Sequence, residues 1–227
     1  MKTLVVIPAR IGSKSVPKKN IKLLKNKPLI NYTIEYALNS NLPDKIVVST
    51  DSEEIANIAR KAGAEVPFIR PKELAEDNVR DFPVAYHAIT TIEKISSENY
   101  DYLVWLRPTS PFRPKNLIER CIEILNNNPD ATSVRAVTPS SEHPYRQWTK
   151  DGRFIVGFDA KEEVYNWPRQ ELPQMYFQTG DIEVIRRETI LSGSISGNKV
   201  MPVLIDNEEY LDIDNESDWK KAENHRS

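Results

Sequence analysis

Leu4-Val5-Val6-Ile7 runs directly into Pro8-Ala9-Arg10-Ile11-Gly12-Ser13-Lys14-Ser15-Val16-Pro17-Lys18-Lys19-Asn20. The short, continuous apolar run reads as a strand buried on both faces, the mark of a parallel sheet covered on each side by helices. The basic stretch that follows reads as the loop at that strand's carboxyl end. In open α/β sheets this is the edge where ligands bind. Arg10, Lys14, Lys18 and Lys19 fall within ten residues. Small residues between them expose backbone N–H groups, which together with the cations suit a polyphosphate. A solvated charged loop fits the same residues, and on the residues alone both readings stand. Neither Gly-x-x-x-x-Gly-Lys-Ser/Thr nor Gly-x-Gly-x-x-Gly is present, which weighs against P-loop hydrolases and dinucleotide oxidoreductases.

Outward from this loop the chain keeps a strand–helix rhythm. Leu29 to Leu38 has helical spacing, Lys45 to Ser49 is strand-like, and Ser52 to Ala62 is a helix capped by Asp51 or Ser52 and ended by Gly63. Val66 to Ile69 reads as a strand, Pro83 to Ile95 as a helix, Tyr102 to Leu106 as a buried strand, Asn116 to Leu125 as a helix and Thr132 to Val137 as a strand. The fold class expected is α/β: a Rossmann-like, mainly parallel sheet with helices on both faces. The rhythm breaks at about 139 to 179, which is rich in aromatic, proline and charged residues and reads as an inserted arm within a single domain spanning 1 to 227. Strands resume at Ile182 to Ile185 and Val200 to Ile205, and Asn215 to Glu223 closes the chain as a helix.

The bulk properties exclude more than they assign. The chain has 227 residues, 39% hydrophobic content and a net charge of −2, enough for one sizeable core and no footing for a protein that coats nucleic acid. The apolar run at the N-terminus is too short for a signal-peptide core or a membrane span. Cys121 is the single cysteine, so no intrachain disulfide forms. A cytoplasmic protein bound to neither membrane nor nucleic acid is expected. Cys121 reads as core and His87 and His143 as packing residues, and no Cys/His spacing suggests zinc.

The basic loop, Pro8-Ala9-Arg10 with Gly12-Ser13-Lys14 and then Pro17-Lys18-Lys19-Asn20, resembles the acylneuraminate cytidylyltransferase (CMP-sialic acid synthetase) family. Further blocks follow in order: Val47-Val48-Ser49-Thr50-Asp51-Ser52, Arg70-Pro71 with Glu73-Leu74-Ala75 and Asp77, Arg107-Pro108-Thr109-Ser110-Pro111-Phe112-Arg113, Arg169-Gln170 with Leu172-Pro173, and Asp212-Ile213-Asp214. The resemblance covers essentially the whole chain. It implies a nucleotidyltransferase that activates an acidic, nonulosonic-type sugar with CTP, giving a CMP-sugar and pyrophosphate. It also implies catalytic roles for Arg10, Lys14 and Lys19 and a nucleotide site built from Ala9, Arg10, Gly12, Ser13, Lys14, Asn20, Arg70, Asp77 and Asp81. On the sugar side it implies Arg107, Arg169, Gln170 and Asp181, with Arg169 meeting the sugar carboxylate. Asp212 and Asp214 match a pair that holds Mg²⁺. On the residues alone their i, i+2 spacing on one face suits either that ion or a capping carboxylate beside a solvated one. The arm would pack on a second subunit, making a homodimer.

Departures from the family pattern concern substrate. The family often has serine where this chain has Arg80 and Asp81, and a carboxylate there could accept from cytosine or from guanine. Arg107 replaces a common glutamine, and Thr179-Gly180-Asp181-Ile182-Glu183 replaces Asn-Gly-Ala-Ile-Tyr. Arg107 and Asp181 predict a preference shifted away from the common sialic acid, unless they pair with each other; a structural ion pair of Arg107 with Glu183 is the plainer reading. Two alternatives stand beside the main one: an enzyme of the same fold using another pair, such as GTP and an amino-sugar phosphate, and a non-catalytic nucleotide-binding protein.

Overall fold

The computed structural model describes residues 1–158, 161–206 and 210–225. Its strands are β1 (Thr3–Pro8), β2 (Leu23–Leu24), β3 (Lys27–Pro28), β4 (Lys45–Ser49), β5 (Tyr102–Trp105), β6 (Ser133–Pro139), β7 (Trp148–Asp151), β8 (Phe154–Gly157), β9 (Tyr176–Arg186) and β10 (Val200–Leu204). Its α-helices are α1 (Leu29–Leu38), α2 (Glu53–Lys61), α3 (Asp81–Ser96), α4 (Leu117–Asn127), α5 (Arg187–Leu191) and α6 (Glu216–Asn224). Six strands form the central sheet in the order β10-β6-β9-β5-β1-β4. β1 pairs in parallel with β4 and β5, and β6 with β10, while β9 is antiparallel to both its neighbours. The sheet is therefore mainly parallel, as the buried first strand predicts.

The alternation along each strand divides the core. Val5, Ile7, Val48 and Val104 pack with Ile34 of α1, Ile55 of α2 and Ile118 of α4 on one face. Leu4, Val6, Val47 and Leu103 pack with Ala85 and Ile89 of α3 and Ile190 of α5 on the other. Both faces being covered, strand residues at successive positions are all apolar. A smaller cluster joins Val16 of the basic loop, Leu24 of β2 and Leu29 of α1 to Ile213 and Trp219 near the C-terminal end. This third cluster brings the 212–214 segment against the basic loop at the other end of the sequence.

Two expectations differ from the structure. Val66 to Ile69 makes no strand; among the described residues that region pairs with the sheet only through a bridge between Val47 and Glu65. Pro67 removes the backbone donor that a ladder would need there. The strand read at Ile182 to Ile185 is longer, starting at Tyr176, and it is the antiparallel member of the sheet. Between Arg135 and Val137 of β6 its register shifts, a bulge that re-aims the residues around Gly180. Between β6 and β9 lies the β7–β8 hairpin, an antiparallel pair separate from the main sheet.

Candidate active site

The carboxyl ends of β1, β4 and β5 lie side by side, so the loops after them meet at one edge of the sheet. Here a cleft of about 450 Å³ opens. Arg10, Ser13, Lys14, Lys19 and Asn20 reach it from the first loop, Arg70 and Asp77 from the segment before α3, and Arg107 and Thr109 from the loop after β5. Most residues of the expected nucleotide site thus converge although the sequence separates them. Ala9 is buried just behind, its N–H donating to the Ser49 carbonyl at 2.9 Å. Gly12 stands on the open side, with no atom within 4 Å of where a Cβ would project.

The cations are held in place by specific acceptors. Arg10 Nη1 donates to Asp77 Oδ1 at 2.5 Å and to the Ala75 carbonyl at 3.3 Å. Lys14 Nζ pairs with the other oxygen of Asp77. These hydrogen bonds from Lys14 and Arg10 hold the Asp77 carboxyl below the usual carboxylate range. Asn20 is buried and donates from Nδ2 to the Arg10 carbonyl at 2.8 Å, so it braces the loop's backbone. Arg70 is also buried; burial pulls its guanidinium below the ordinary value, partly offset by Asp51, and its Nε has no hydrogen-bond partner.

Lys19 is more enclosed than a loop lysine read from sequence: its side chain is only 12% exposed. Nζ donates to the Ile213 carbonyl at 2.7 Å and sits 3.8 Å from Asp214 Oδ1. Ser15 Oγ donates to the Asp214 carbonyl at 2.5 Å, and the Ile213 N–H to the Thr109 carbonyl at 2.9 Å. These bonds hold the backbone of the 212–214 segment against the basic loop, while neither Asp212 nor Asp214 is among the residues that line the cleft. A Cβ at Gly180 would fall 2.8 Å from Ser110 Oγ and 3.0 Å from Asp212 Oδ2, so the bulge in β9 and a glycine there make room for the Asp212 carboxylate. Among the described residues no group of three or more His, Cys, Asp or Glu side chains could cage a metal ion. Two hard carboxylates beside a basic loop are the donor type that Mg²⁺ takes, an ion that keeps several waters in its shell.

On the opposite wall, Arg107 Nη2 donates to Asp81 Oδ2 at 2.5 Å and to Glu183 Oε1 at 2.9 Å. The plainer ion pair with Glu183 is the one that forms, joined by Asp81, whose carboxylate is the nearer partner. Glu183 is 1% exposed and also accepts from Arg135 Nη2 at 2.5 Å. Burial alone would pull the Arg107 guanidinium down; Asp81 and Glu183 outweigh it and raise the value. Asp181 does not pair with Arg107. It lies buried beyond the residues that line the cleft, and burial pushes its carboxyl up against the pull of Arg113. Arg113, buried and with its guanidinium lowered to about 10 by that burial, donates to the Asp181 carbonyl at 2.6 Å, to Thr33 Oγ1 at 2.9 Å and to the Arg107 carbonyl.

Arg169 and Gln170 do not reach the cleft of their own chain. They are exposed on a short 3₁₀ turn in the arm, where Arg169 lines a separate hollow of about 160 Å³ with His143 and Arg146. Sequence reasoning missed Arg113 and Arg135 as part of this architecture. A basic residue amid the apolar run Val134-Arg135-Ala136 was the available signal for one, and the end of the Arg107–Arg113 block for the other.

A family model described as cytidylyltransferase matches residues 4–193. The chain is 36% identical to a CMP-N,N'-diacetyllegionaminic acid synthase of Legionella pneumophila over 98% of its length and 95% of that protein. It is 35% identical to a pseudaminic acid cytidylyltransferase of Campylobacter jejuni, over 79% of this chain and 76% of that one. With an N-acylneuraminate cytidylyltransferase of Escherichia coli it shares 32% identity over 97% of its own length and 51% of the relative's. A CMP:2-keto-3-deoxy-manno-octonic acid synthetase solved with CTP superposes with a TM-score of 0.73 over 99% of this chain and 98% of that one, at 16% identity, a likeness of fold.

Proposed function

The chain belongs to the cytidylyltransferase family, and from that premise we propose that it activates an acidic sugar of the nonulosonic type with CTP, giving a CMP-sugar and pyrophosphate. The observation that carries this reading is the convergence of Arg10, Lys14 and Lys19 on one cleft at the carboxyl edge of the sheet, with the 212–214 segment tied to the same loop through Lys19 and Ser15. A polyphosphate arriving there meets three cations, two of which Asp77 now holds in place.

The sugar hydroxyl oxygen forms a bond to the α-phosphorus, loses its proton, and the bond from that phosphorus to the bridging oxygen of pyrophosphate breaks. Such a displacement calls for alignment and neutralisation of charge more than for a covalent partner. Arg10 and Lys14 neutralise the leaving pyrophosphate, and Lys19 bridges the phosphates to the 212–214 backbone. Asn20 fixes the loop's backbone, and Arg70 adds a buried guanidinium to the wall of the cleft. Asp212 and Asp214 would hold Mg²⁺, which when bound adds positive charge at the phosphate oxygens.

On the sugar side, Arg107 supplies donors in a fork where a neutral amide is common in the family. That is the basis for a preference other than the common sialic acid. Arg169 and Gln170, exposed on the arm, serve the sugar of a neighbouring subunit in a homodimer. The apolar side chains elsewhere in the arm support burial against such a partner: Trp148, Phe154, Ile155 and Phe158 are all exposed. A triphosphate substrate and the single buried Cys121 accord with work in the cytoplasm. The test is pyrophosphate release with each nucleoside triphosphate against a panel of acidic sugars. Release that requires both CTP and a nonulosonic acid supports the reading, and release with GTP and a sugar phosphate instead would replace it.

A further inference from the structure

A second cavity, of about 740 Å³, adjoins the nucleotide cleft, and Asp81 and Arg107 line both. The Arg107–Asp81 ion pair is therefore part of the wall between them. Arg135 lines the second cavity but not the cleft. It lies opposite Glu183 in the register of β6 and β9, and three of its hydrogen bonds shape the cavity. Nη2 donates to Glu183 Oε2 at 2.5 Å, and Glu183 in turn accepts from Arg107. Nη2 also donates to Ser196 Oγ at 2.8 Å, on the loop whose Ser194 and Ile195 form another side of the cavity. Nη1 donates to Gln178 Oε1, and Gln178 lines the cavity from β9.

These bonds decide what the cavity offers a ligand. A guanidinium only donates, so the Gln178 amide turns its oxygen to Arg135. Its nitrogen keeps two N–H donors, without a partner among the described residues. Ser196 is held from behind, its carbonyl accepting from Thr132 Oγ1 and Ser133 Oγ, each at 2.7 Å. The charges in the wall cancel, Arg107 and Arg135 against Glu183 and Asp81. Arg80, the remaining charged lining residue, is exposed at the N-terminal end of α3. Phe82 and Ile195 add apolar surface. A balanced wall, an amide donor and an apolar patch together suit an uncharged group that joins a carbonyl acceptor to a small apolar end. We propose that the second cavity takes an acylamino substituent of the sugar, with Gln178 donating to its carbonyl oxygen and Arg135 as the positioning residue that presents the Gln178 amide. The sugar carboxylate stays with Arg169 of a neighbouring subunit, and the Arg107–Asp81 pair stays closed. This inference rests on the activity proposed above and names what the sugar carries at the end away from the reacting hydroxyl.

A ratio separates recognition from a merely structural network. The assay is steady-state CMP-sugar formation with CTP and whichever of N,N'-diacetyllegionaminic, pseudaminic or N-acetylneuraminic acid the wild type uses best. The same acid is then offered with a hydroxyl in place of one acetamido group at a time. The wild type is expected to prefer the intact sugar over one such analogue by about tenfold or more in kcat/KM. Gln178→Glu still accepts from Arg135 but has no N–H to donate, and is expected to shrink that preference by about five- to tenfold. Arg135→Lys keeps a cation beside Glu183 but cannot hold Glu183, Ser196 and Gln178 through one fork, and is expected to shrink the same preference. KM for CTP stays within about twofold in both, since neither residue lines the nucleotide cleft. Gln178 is exposed, so its variant preserves the test if Arg135→Lys folds poorly. A network that only supports the fold would instead lower turnover of every sugar alike and leave the ratio unchanged, which overturns the inference, as does a wild type indifferent to the acetamido groups. A wild type that forms no CMP-sugar with any of the three acids sinks the activity itself, and the inference with it; an active wild type whose ratio neither variant changes sinks the inference alone.

Discussion

At the scale of single residues, Lys19 shows how a site residue differs from a charged loop residue. Its ammonium is enclosed and hydrogen-bonded to Ile213, the residue between the two aspartates. Lys19→Ala is expected to lower kcat/KM by about 10²-fold, the usual cost of one preorganised donor. It also leaves the Ile213 carbonyl without its donor, so a stability loss of about 1 kcal/mol accompanies it. Pyrophosphate release and thermal unfolding measured on the same sample separate the two effects; near-normal turnover would remove Lys19 from the phosphate site. Asp212→Ala and Asp214→Ala are each expected to depress Mg²⁺-dependent turnover by about 10²-fold or more and to raise the Mg²⁺ needed for half-maximal rate. If both variants keep wild-type rate and Mg²⁺ requirement, the pair serves structure alone. The basic loop was legible in sequence because its charge density marks it; the aspartate pair stood out only through the family resemblance, since its spacing also suits a capping carboxylate beside a solvated one. The Arg107–Glu183–Arg135 network was legible only in part: Arg107 and Glu183 stood out as departures, but Arg135 is supplied by a strand whose neighbour the sequence does not announce.

At the scale of elements, strands buried on both faces were readable from their apolar runs, and helices from their spacing and stops. What the sequence hid are the features set by pairing. β9 inserts antiparallel between β5 and β6, and nothing in Ile182 to Ile185 distinguishes that orientation from a parallel one. The bulge in β9 then decides that Glu183 meets Arg107 while Asp181 lies beside Arg113. Pro67, present in plain sight, ended an apolar run that otherwise reads as a strand. The loop leading into β10 depends on a similarly local device. Gly197 has φ +70°, and a Cβ there would fall 2.5 Å from Thr132 Cβ and Oγ1. Gly197→Ala is expected to cost about 1–3 kcal/mol, read as a lowered midpoint in urea with an unchanged slope. A wild-type midpoint would mean that the loop yields without cost.

At the scale of the whole molecule, two sides of the fold hold different kinds of surface. The carboxyl edge of the sheet gathers cations and carboxylates from segments as distant as residues 10 and 214. The stretch from 139 to 179 carries exposed Trp148, Phe154, Ile155 and Phe158 on a hairpin outside the main sheet. A two-stranded hairpin has little stability alone in water, and its apolar side chains are expected to be covered in a homodimer. Sedimentation at micromolar concentration is expected to give a dimer for the wild type and a monomer for Phe154→Lys with Phe158→Lys; a fully active wild-type monomer would contradict this. The proposed activity rests on the shared cleft more than on the assembly, and one measurement addresses it most directly: pyrophosphate release with ATP, CTP, GTP and UTP, each offered with N,N'-diacetyllegionaminic, pseudaminic and N-acetylneuraminic acids and with an amino-sugar phosphate. The account predicts release with CTP and a nonulosonic acid, dependent on Mg²⁺, with an acid other than N-acetylneuraminic acid giving the highest kcat/KM. Release only with another triphosphate, or none with any acidic sugar, would contradict it.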